Sequence, residues 1–158
     1  MKRKNPILIY TAVVMLVLLC SPLLHSAEKI TKEEILKTGK EWEDNYSNYD
    51  VDQSYIEVLN AKVGDNLTID VYLGLWCSDS QNNVPKFIKV ADFVRTENFK
   101  VNYYTVERKA SPDVKYFVED LKVERVPTFI FYRDGKEIGR IVENPQKSMI
   151  DDFLEIIF

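Results

Sequence analysis

Histidine and cysteine are nearly missing from this chain. Its 158 residues hold one histidine, His25, and two cysteines, Cys20 and Cys77. His25 and Cys20 fall in a segment with the plan of a leader, so the rest of the chain carries a single thiol and no imidazole. That inventory excludes Cys/His zinc sites, iron–sulfur clusters and c-type haem attachment, together with Ser-His-Asp and Cys-His catalytic pairs. No cofactor and no metal is expected, and an intrachain disulfide is excluded as well. Internal repeats, low-complexity stretches and long linkers are also lacking. What is present is the balance of one globular domain, 46% hydrophobic against 29% charged, with nine Tyr, eight Phe and two Trp to build a core.

Acidic residues are missing from the first 27 positions. There Lys2, Arg3 and Lys4 precede an apolar run from Ile7 to Leu19, broken only by Tyr10 and Thr11, and then Cys20, Ser21, Pro22 and Ala27 follow. Basic, then apolar, then small is the order of a secretory signal peptide. Residues 1–27 are therefore read as a leader cleaved near Ala27, with export to the periplasm. Two alternatives stay open: a retained membrane anchor over residues 7–24, about as long as the shortest spanning helices of roughly 17 residues, and lipidation at Cys20. Against lipidation, Leu19 stands where a lipobox wants a small residue.

Because three of the 21 basic residues and none of the 25 acidic ones precede residue 28, the remainder has a net charge of −7. Such a surface argues against nucleic acid as a partner. Contact with a membrane is expected only through the N-terminal segment. An exported chain without a disulfide framework must take its stability from its core, so the one remaining thiol calls for a chemical reason.

Thr31, Glu33 and Glu34 open a helix predicted over about 32–46, with Ile35, Thr38, Trp42 and Tyr46 at helical spacing. Tyr49–Lys62 is ambiguous and compatible with a short helix; together, residues 28–66 read as a helical extension. The alternation of Leu67, Ile69, Val71 and Leu73 with Thr68, Asp70 and Tyr72 predicts a strand. Val84, Phe87, Ile88, Ala91 and Val94 then mark an amphipathic helix. Phe99–Val106 predicts a second strand, and Val114, Phe117, Val118 and Leu121 a short helix opened by Ser111 and Pro112. Thr128–Tyr132 and Lys136–Val142 form a hairpin about Asp134-Gly135, and Met149–Ile157 is a final helix. A helix joining two strands implies a parallel pair, and the hairpin an antiparallel edge. The predicted fold is α/β: a mixed central sheet of about four strands with helices on both faces.

Strand and helix meet at Trp76-Cys77. A thiol at such a junction is where a cysteine becomes reactive, because the amides and macrodipole of a helix N-terminus favour thiolate over thiol. Ser80, one turn on, can offer a hydroxyl to the sulfur, and Trp76 supplies a flat apolar wall. Asp79 opposes the effect with a negative charge. Taken alone, a single cysteine is more often an inert buried hydrophobe.

The placement of several motifs together resembles the thioredoxin superfamily, over Leu67–Phe158. Trp76-Cys77-Ser78-Asp79-Ser80 stands where that family has Trp-Cys-x-x-Cys, Pro85 follows the cysteine by eight residues, and Val126-Pro127-Thr128 is similar to the family's cis-proline loop. Gly139 marks a bulge in the hairpin beyond it. The octapeptide Leu73 to Ser80 with Val84-Pro85 also resembles a branch of exported bacterial thioredoxin-like proteins. The resemblance implies a thioredoxin-like domain over 67–158, with Cys77 and Ser80 as the catalytic positions and Trp76, Val126 and Pro127 facing an extended substrate. Two departures bear on chemistry. Ser80 replaces the resolving thiol, so Cys77 can attack a disulfide but cannot expel the partner through an internal bond. The family's buried acid falls on Val71, leaving Asp70 on the other strand face unless Gly74 hosts a bulge.

The reading that follows is a monothiol thioredoxin-like protein of the cell envelope, in which Cys77 forms mixed disulfides with protein or small-molecule thiols and disulfides. The rival reading is a non-catalytic peptide- or protein-binding module built on the same groove. A monomer is expected, with a homodimer linked through Cys77 as the alternative. Arg108, Lys109 and Arg125 are read as solvated surface charge.

Overall fold

The computed structural model describes residues 27–109, 111 and 113–158. The readings made on residues 1–26, including the 7–24 span and Cys20, and the reading of Pro112 lie outside that range. Among the described residues no helix is long and apolar enough to cross a membrane.

Alternation sets the centre of the fold. In β2 (Leu67–Leu73) the side chains of Ile69, Val71 and Leu73 are fully buried on one face, while Thr68 and Asp70 stay partly accessible on the other. β2 pairs in parallel with β3 (Lys100–Thr105), Val71 opposite Tyr103 and Leu73 opposite Thr105. On its other side it pairs antiparallel with β4 (Thr128–Arg133). β4 turns through Asp134 and Gly135, both at positive φ (51° and 76°), into β5 (Lys136–Val142), which is the signature of a two-residue hairpin turn. A three-residue strand, β1 (Glu28–Ile30), adds antiparallel to β3. The sheet order is β1-β3-β2-β4-β5, five strands where the sequence predicted about four. The extra one lies inside the segment read as a helical extension.

The helix predicted over 32–46 is two helices, α1 (Lys32–Leu36) and α2 (Lys40–Ser47). Thr31 and Glu34 cap α1 reciprocally, and Glu34 is held below the usual carboxylate range by its hydrogen bonds to Thr31. Gly39 then serves as the cap of α2. The break lets Ile35 and Trp42 both reach the interior, at 0% and 2% exposure. The ambiguous segment that follows forms α3 (Gln53–Lys62), capped by Asp52 and burying Ile56 and Leu59.

α4 (Ser78–Ala91) runs from the cysteine, and Pro85 sits within it rather than in its first turn. Proline there leaves the Gln81 carbonyl without its helical donor. Asn45 of α2 supplies the missing bond, its Nδ2 donating to Gln81 O at 3.0 Å. α5 (Met149–Ile157) completes the layer, capped by Ser148. Phe153 from α5 stacks on Phe87 from α4 and meets Phe131 from β4 edge-on.

All five helices pack on one face of the sheet, in a single core with Ile69, Val71, Tyr103, Phe129 and Ile141. The expectation of helices on both faces fails in that detail. The opposite face, around Tyr72 and Ile130, is covered by the segment 106–126 through Val106, Val123 and Val126. The helix predicted there from Val114 to Leu121 does not form. Phe117 N–H donates to Val123 O at 2.7 Å and Val123 N–H to Val118 O at 3.0 Å, and Lys122 turns the chain with φ at +53°. The Lys109 ammonium takes the carbonyls of Lys115 (2.6 Å) and Glu124 (2.7 Å). A side-chain cation thus occupies an acceptor that a helix would have used internally.

Candidate active site

The N-cap of α4 is Cys77, with extended backbone (φ −98°, ψ 124°) directly after β2 and the short turn Gly74-Leu75-Trp76. Cys77 is partly buried, and its Sγ donates to the main-chain oxygen of Val126 at 3.2 Å. The Val126–Pro127 peptide bond is cis. Both residues are buried between the cover segment and β4. Neither the N–H nor the C=O of Val126 enters a main-chain hydrogen bond among the described residues. Glu143 closes the far side, its N–H donating to Pro127 O at 2.7 Å. Cys77, Trp76, Val126 and Pro127 are brought together, and the first three line an open groove of about 450 Å³.

Trp76 owes its position to Gly74. A Cβ on Gly74 would lie 2.7 Å from the indole Cε2, so the bare backbone is what lets the ring fold back over the turn. The indole N–H donates to Val106 O at 3.1 Å, and Phe117 packs on the ring at 5.9 Å between centroids. Trp76 nonetheless remains 39% exposed.

Ser80 is placed differently from the expectation. It is fully buried, and its hydroxyl oxygen accepts the Gly74 N–H at 3.2 Å. No hydrogen bond links it to Cys77 among the described residues. Its role is to fasten the turn that carries Trp76 and Cys77 to the first turn of α4. The acid question resolves as the strand pattern predicts: β2 runs in unbroken register with β3, so no bulge at Gly74 brings Asp70 across. Asp70 accepts from Asn102 Nδ2 at 2.8 Å beside Tyr72 and Tyr104, and the fully buried Val71 takes the core position. Burial pushes the Tyr72 phenol well above its ordinary value, with the Asp70 charge adding to the shift.

Arg108, Lys109 and Arg125, read as solvated charge, all line the groove. Lys109 is committed to two carbonyls and sits over the Phe117 ring at 4.4 Å. Arg125 pairs with Glu143 at 2.7 Å, which holds the guanidinium charged. Arg108 lies over the Trp76 indole at 4.8 Å. The sequence reading also missed Asn83, which is 2% exposed and donates through Nδ2 to Glu143 O (2.9 Å) and Asn144 Oδ1 (2.8 Å). That side chain ties α4 to the loop carrying Glu143, whose φ of +60° is uncommon for a residue with a Cβ. Gly139 does sit beside the irregularity in the hairpin, where Phe131 pairs with Gly139 and Tyr132 with Glu137. Its lack of a side chain lets Ile156 approach to 2.9 Å of where a Cβ would be.

Chemically the arrangement is one thiol at a helix N-terminus, an aromatic wall, and at Val126 a main chain whose hydrogen-bond partner among the described residues is that thiol. It includes no second thiol among the described residues and no group of three or more acidic, histidine or cysteine side chains able to hold a metal.

The family model described as thioredoxin matches residues 25–152. A thioredoxin from Echinococcus granulosus is 30% identical over 87 residues, spanning 54% of this chain and 75% of that protein. A thioredoxin from Malassezia sympodialis is 24% identical over 89 residues, spanning 56% and 80% respectively. Among solved structures, a Pseudomonas aeruginosa protein of unknown function superposes with a TM-score of 0.60 at 17% identity, over 83% of this chain and 92% of that one. This last likeness bears on fold alone, and it reaches into the segment before β2. With the match running from before β1 into α5, the chain belongs to the thioredoxin family.

Proposed function

We propose that this protein carries out monothiol thiol–disulfide exchange in the bacterial cell envelope, with Cys77 as the nucleophile. The observation that carries the reading is the position of Cys77 Sγ, at the N-cap of α4 and 3.2 Å from the Val126 oxygen beside Pro127. An extended substrate pairing with Val126 would bring its sulfur to Cys77. The Cys77 thiolate then attacks one sulfur of the substrate disulfide. A Cys77–substrate bond forms, the substrate's own S–S bond breaks, and the other sulfur leaves as a thiolate that takes up a proton. An external thiol attacks the mixed disulfide in turn and releases Cys77. Electrons balance through that second thiol, because Ser80 cannot close an internal bond.

The rival reading is a peptide-binding module without turnover, and the burial of Ser80 against Gly74 favours it to the extent that nothing nearby resolves an adduct. Thiol reactivity separates the two. The exchange reading expects Cys77 to alkylate faster than a free thiol at pH 7 and to be found, after acid quenching, in mixed disulfides on the exported protein. Alkylation no faster than free cysteine, with no trapped partner, sinks it. Export itself is tested by the N-terminus of the mature protein: a start near residue 28 agrees with cleavage, and a diacylglyceryl adduct on Cys20 replaces it with lipid anchoring.

A further inference from the structure

Six charged side chains line the groove beside Cys77, and four are already spoken for. Lys109 is held by two carbonyls. Arg125 and Glu143 pair with each other at 2.7 Å, and Glu124 pairs with Lys115 at 3.2 Å. The two that remain are Asp79 and Arg108. Asp79 lies in the first turn of α4, where the helix N-terminus already compensates a negative charge. Arg108 has no such partner. It is exposed, makes no ion pair or hydrogen bond among the described residues, and its guanidinium lies 4.8 Å over the Trp76 ring, the residue adjacent to the nucleophile. Stacking on an aromatic face fixes the plane of an arginine while leaving its N–H fork available. The fork matches a carboxylate, which it can hold through two parallel hydrogen bonds.

We infer that Arg108 is a specificity-determining residue, selecting disulfides that carry a carboxylate close to the sulfur Cys77 attacks. The inference rests on the exchange reaction proposed above and adds its substrate class. Two kinds of molecule offer that chemistry: a polypeptide with an acidic residue next to its cysteine, and a small thiol bearing its own carboxylate. The selection runs against the field of the chain as a whole, since a net charge of −7 beyond residue 27 repels anions. Charge sorting in favour of an anion is therefore a local property of the groove and not a consequence of composition.

The test uses three disulfide probes with the full chain: the dianion 5,5′-dithiobis(2-nitrobenzoate), neutral 2-hydroxyethyl disulfide and the dication cystamine. Each rate with Cys77 is divided by the rate of the same probe with 2-mercaptoethanol, which removes differences in intrinsic reactivity. The corrected dianion rate should exceed the corrected dication rate by roughly three- to tenfold in low salt, and the ratio should collapse toward one in 1 M salt, where the Debye length is about 3 Å. Arg108→Ala should remove most of the ratio, Arg108→Glu should invert it, and Arg108→Lys should keep the greater part. Peptide disulfides with Glu or Lys beside the cysteine repeat the comparison. Sorting in both sets supports a polypeptide substrate, and sorting confined to the small probes supports a small acidic thiol. A native ratio at or below one, or a ratio that Arg108→Ala leaves unchanged, overturns the inference while leaving exchange intact. Corrected rates below one for all three probes refute exchange itself, and the inference with it.

Discussion

Replacing Gly74 with alanine tests the geometry of the site through a single methyl group. The added Cβ would stand 2.7 Å from Trp76 Cε2, 3.0 Å from Cζ2 and 3.1 Å from Nε1, all atoms of a rigid ring. Ordinary contact begins near 3.4 Å, so the indole must move bodily away from the turn. Three interactions go with it: the bond to Val106 O, the packing on Phe117 and the stacking of Arg108. The hydrogen bond is worth about 0.5–1.5 kcal/mol net, and the exposed cation–π contact about 0.5–1 kcal/mol. Because Trp76 is already 39% exposed, water can take over its N–H, which keeps the total near 1–3 kcal/mol. For a domain of this size that lowers Tm by roughly 4–12 °C.

Fluorescence reads the same event directly. The chain has two tryptophans, and Trp42 is only 2% exposed, so it acts as an internal reference. Gly74→Ala should red-shift the emission and enlarge the fraction quenched by acrylamide, with near-ultraviolet circular dichroism of the core preserved. An unchanged Tm together with unchanged quenching would mean the ring does not lie over Gly74, and the account of how Trp76 is positioned would be wrong.

Ser80→Cys should create a dithiol one helical turn apart, within the roughly 4.4–6.8 Å between Cα atoms that a disulfide spans. It should give dithiothreitol-driven reduction of a model protein disulfide where the native chain shows little, at a stability cost of about 1 kcal/mol from the weakened Gly74 bond. No gain of turnover in a folded variant would count against exchange at this groove. Asn83→Ala leaves the Glu143 carbonyl and the Asn144 side chain without their donor and should cost about 1–3 kcal/mol in urea unfolding; a change under 0.5 kcal/mol would show that the strut between α4 and Glu143 is not under load. Burial raises the phenols of Tyr72 and Tyr103 above the ordinary value of 10.0. The unfolded chain therefore releases those protons first, and their contribution, complete below pH 10, is lost as pH rises beyond it. A urea midpoint that stays level between pH 9 and 11 would contradict that burial.

Where a local pattern decided the outcome, the sequence was readable. The alternation in Leu67–Leu73, the apolar stripe of α4 and the Asp134-Gly135 turn each need only their own residues, and the structure follows them. β1 has no such pattern: Glu28-Lys29-Ile30 is too short to alternate, and it is a strand because β3 offers it an edge. The stretch from Val114 to Leu121 has helical spacing yet folds as a turn, because Lys109 and the Val118–Val123 bridge claim its main chain from outside. Periodicity describes which residues face inward, and a non-helical cover can satisfy that demand as well. Ser80 was misread for a similar reason. Its spacing from Cys77 was correct, but the hydroxyl is turned to the Gly74 amide six residues back.

The pairing of Arg108 with Trp76 arises where β2 and β3 leave the sheet. In the parallel pair β2–β3, Leu73 stands opposite Thr105, and each is the last residue of its strand. Just past those ends, Val106 N–H donates to Leu73 O at 2.9 Å, so the two chains leave the sheet side by side. Trp76 is three residues beyond Leu73, and Arg108 is three beyond Thr105. Beyond Leu73 the chain turns, closed by Cys77 N–H donating to Gly74 O at 2.9 Å, and that turn carries the Trp76 ring back to meet the Arg108 guanidinium at 4.8 Å. Both strands are visible in the sequence, and the parallel pairing follows from the helix between them. The missing piece was the relative register: the shared core of Val71 and Tyr103 excludes a one-residue slip, and a two-residue slip leaves both on the same face. A charge that looked like free surface thus stands over the residue next to Cys77. Lys109, the next residue after Arg108, lines the same groove as Cys77, its ammonium tied to two carbonyls of the cover segment.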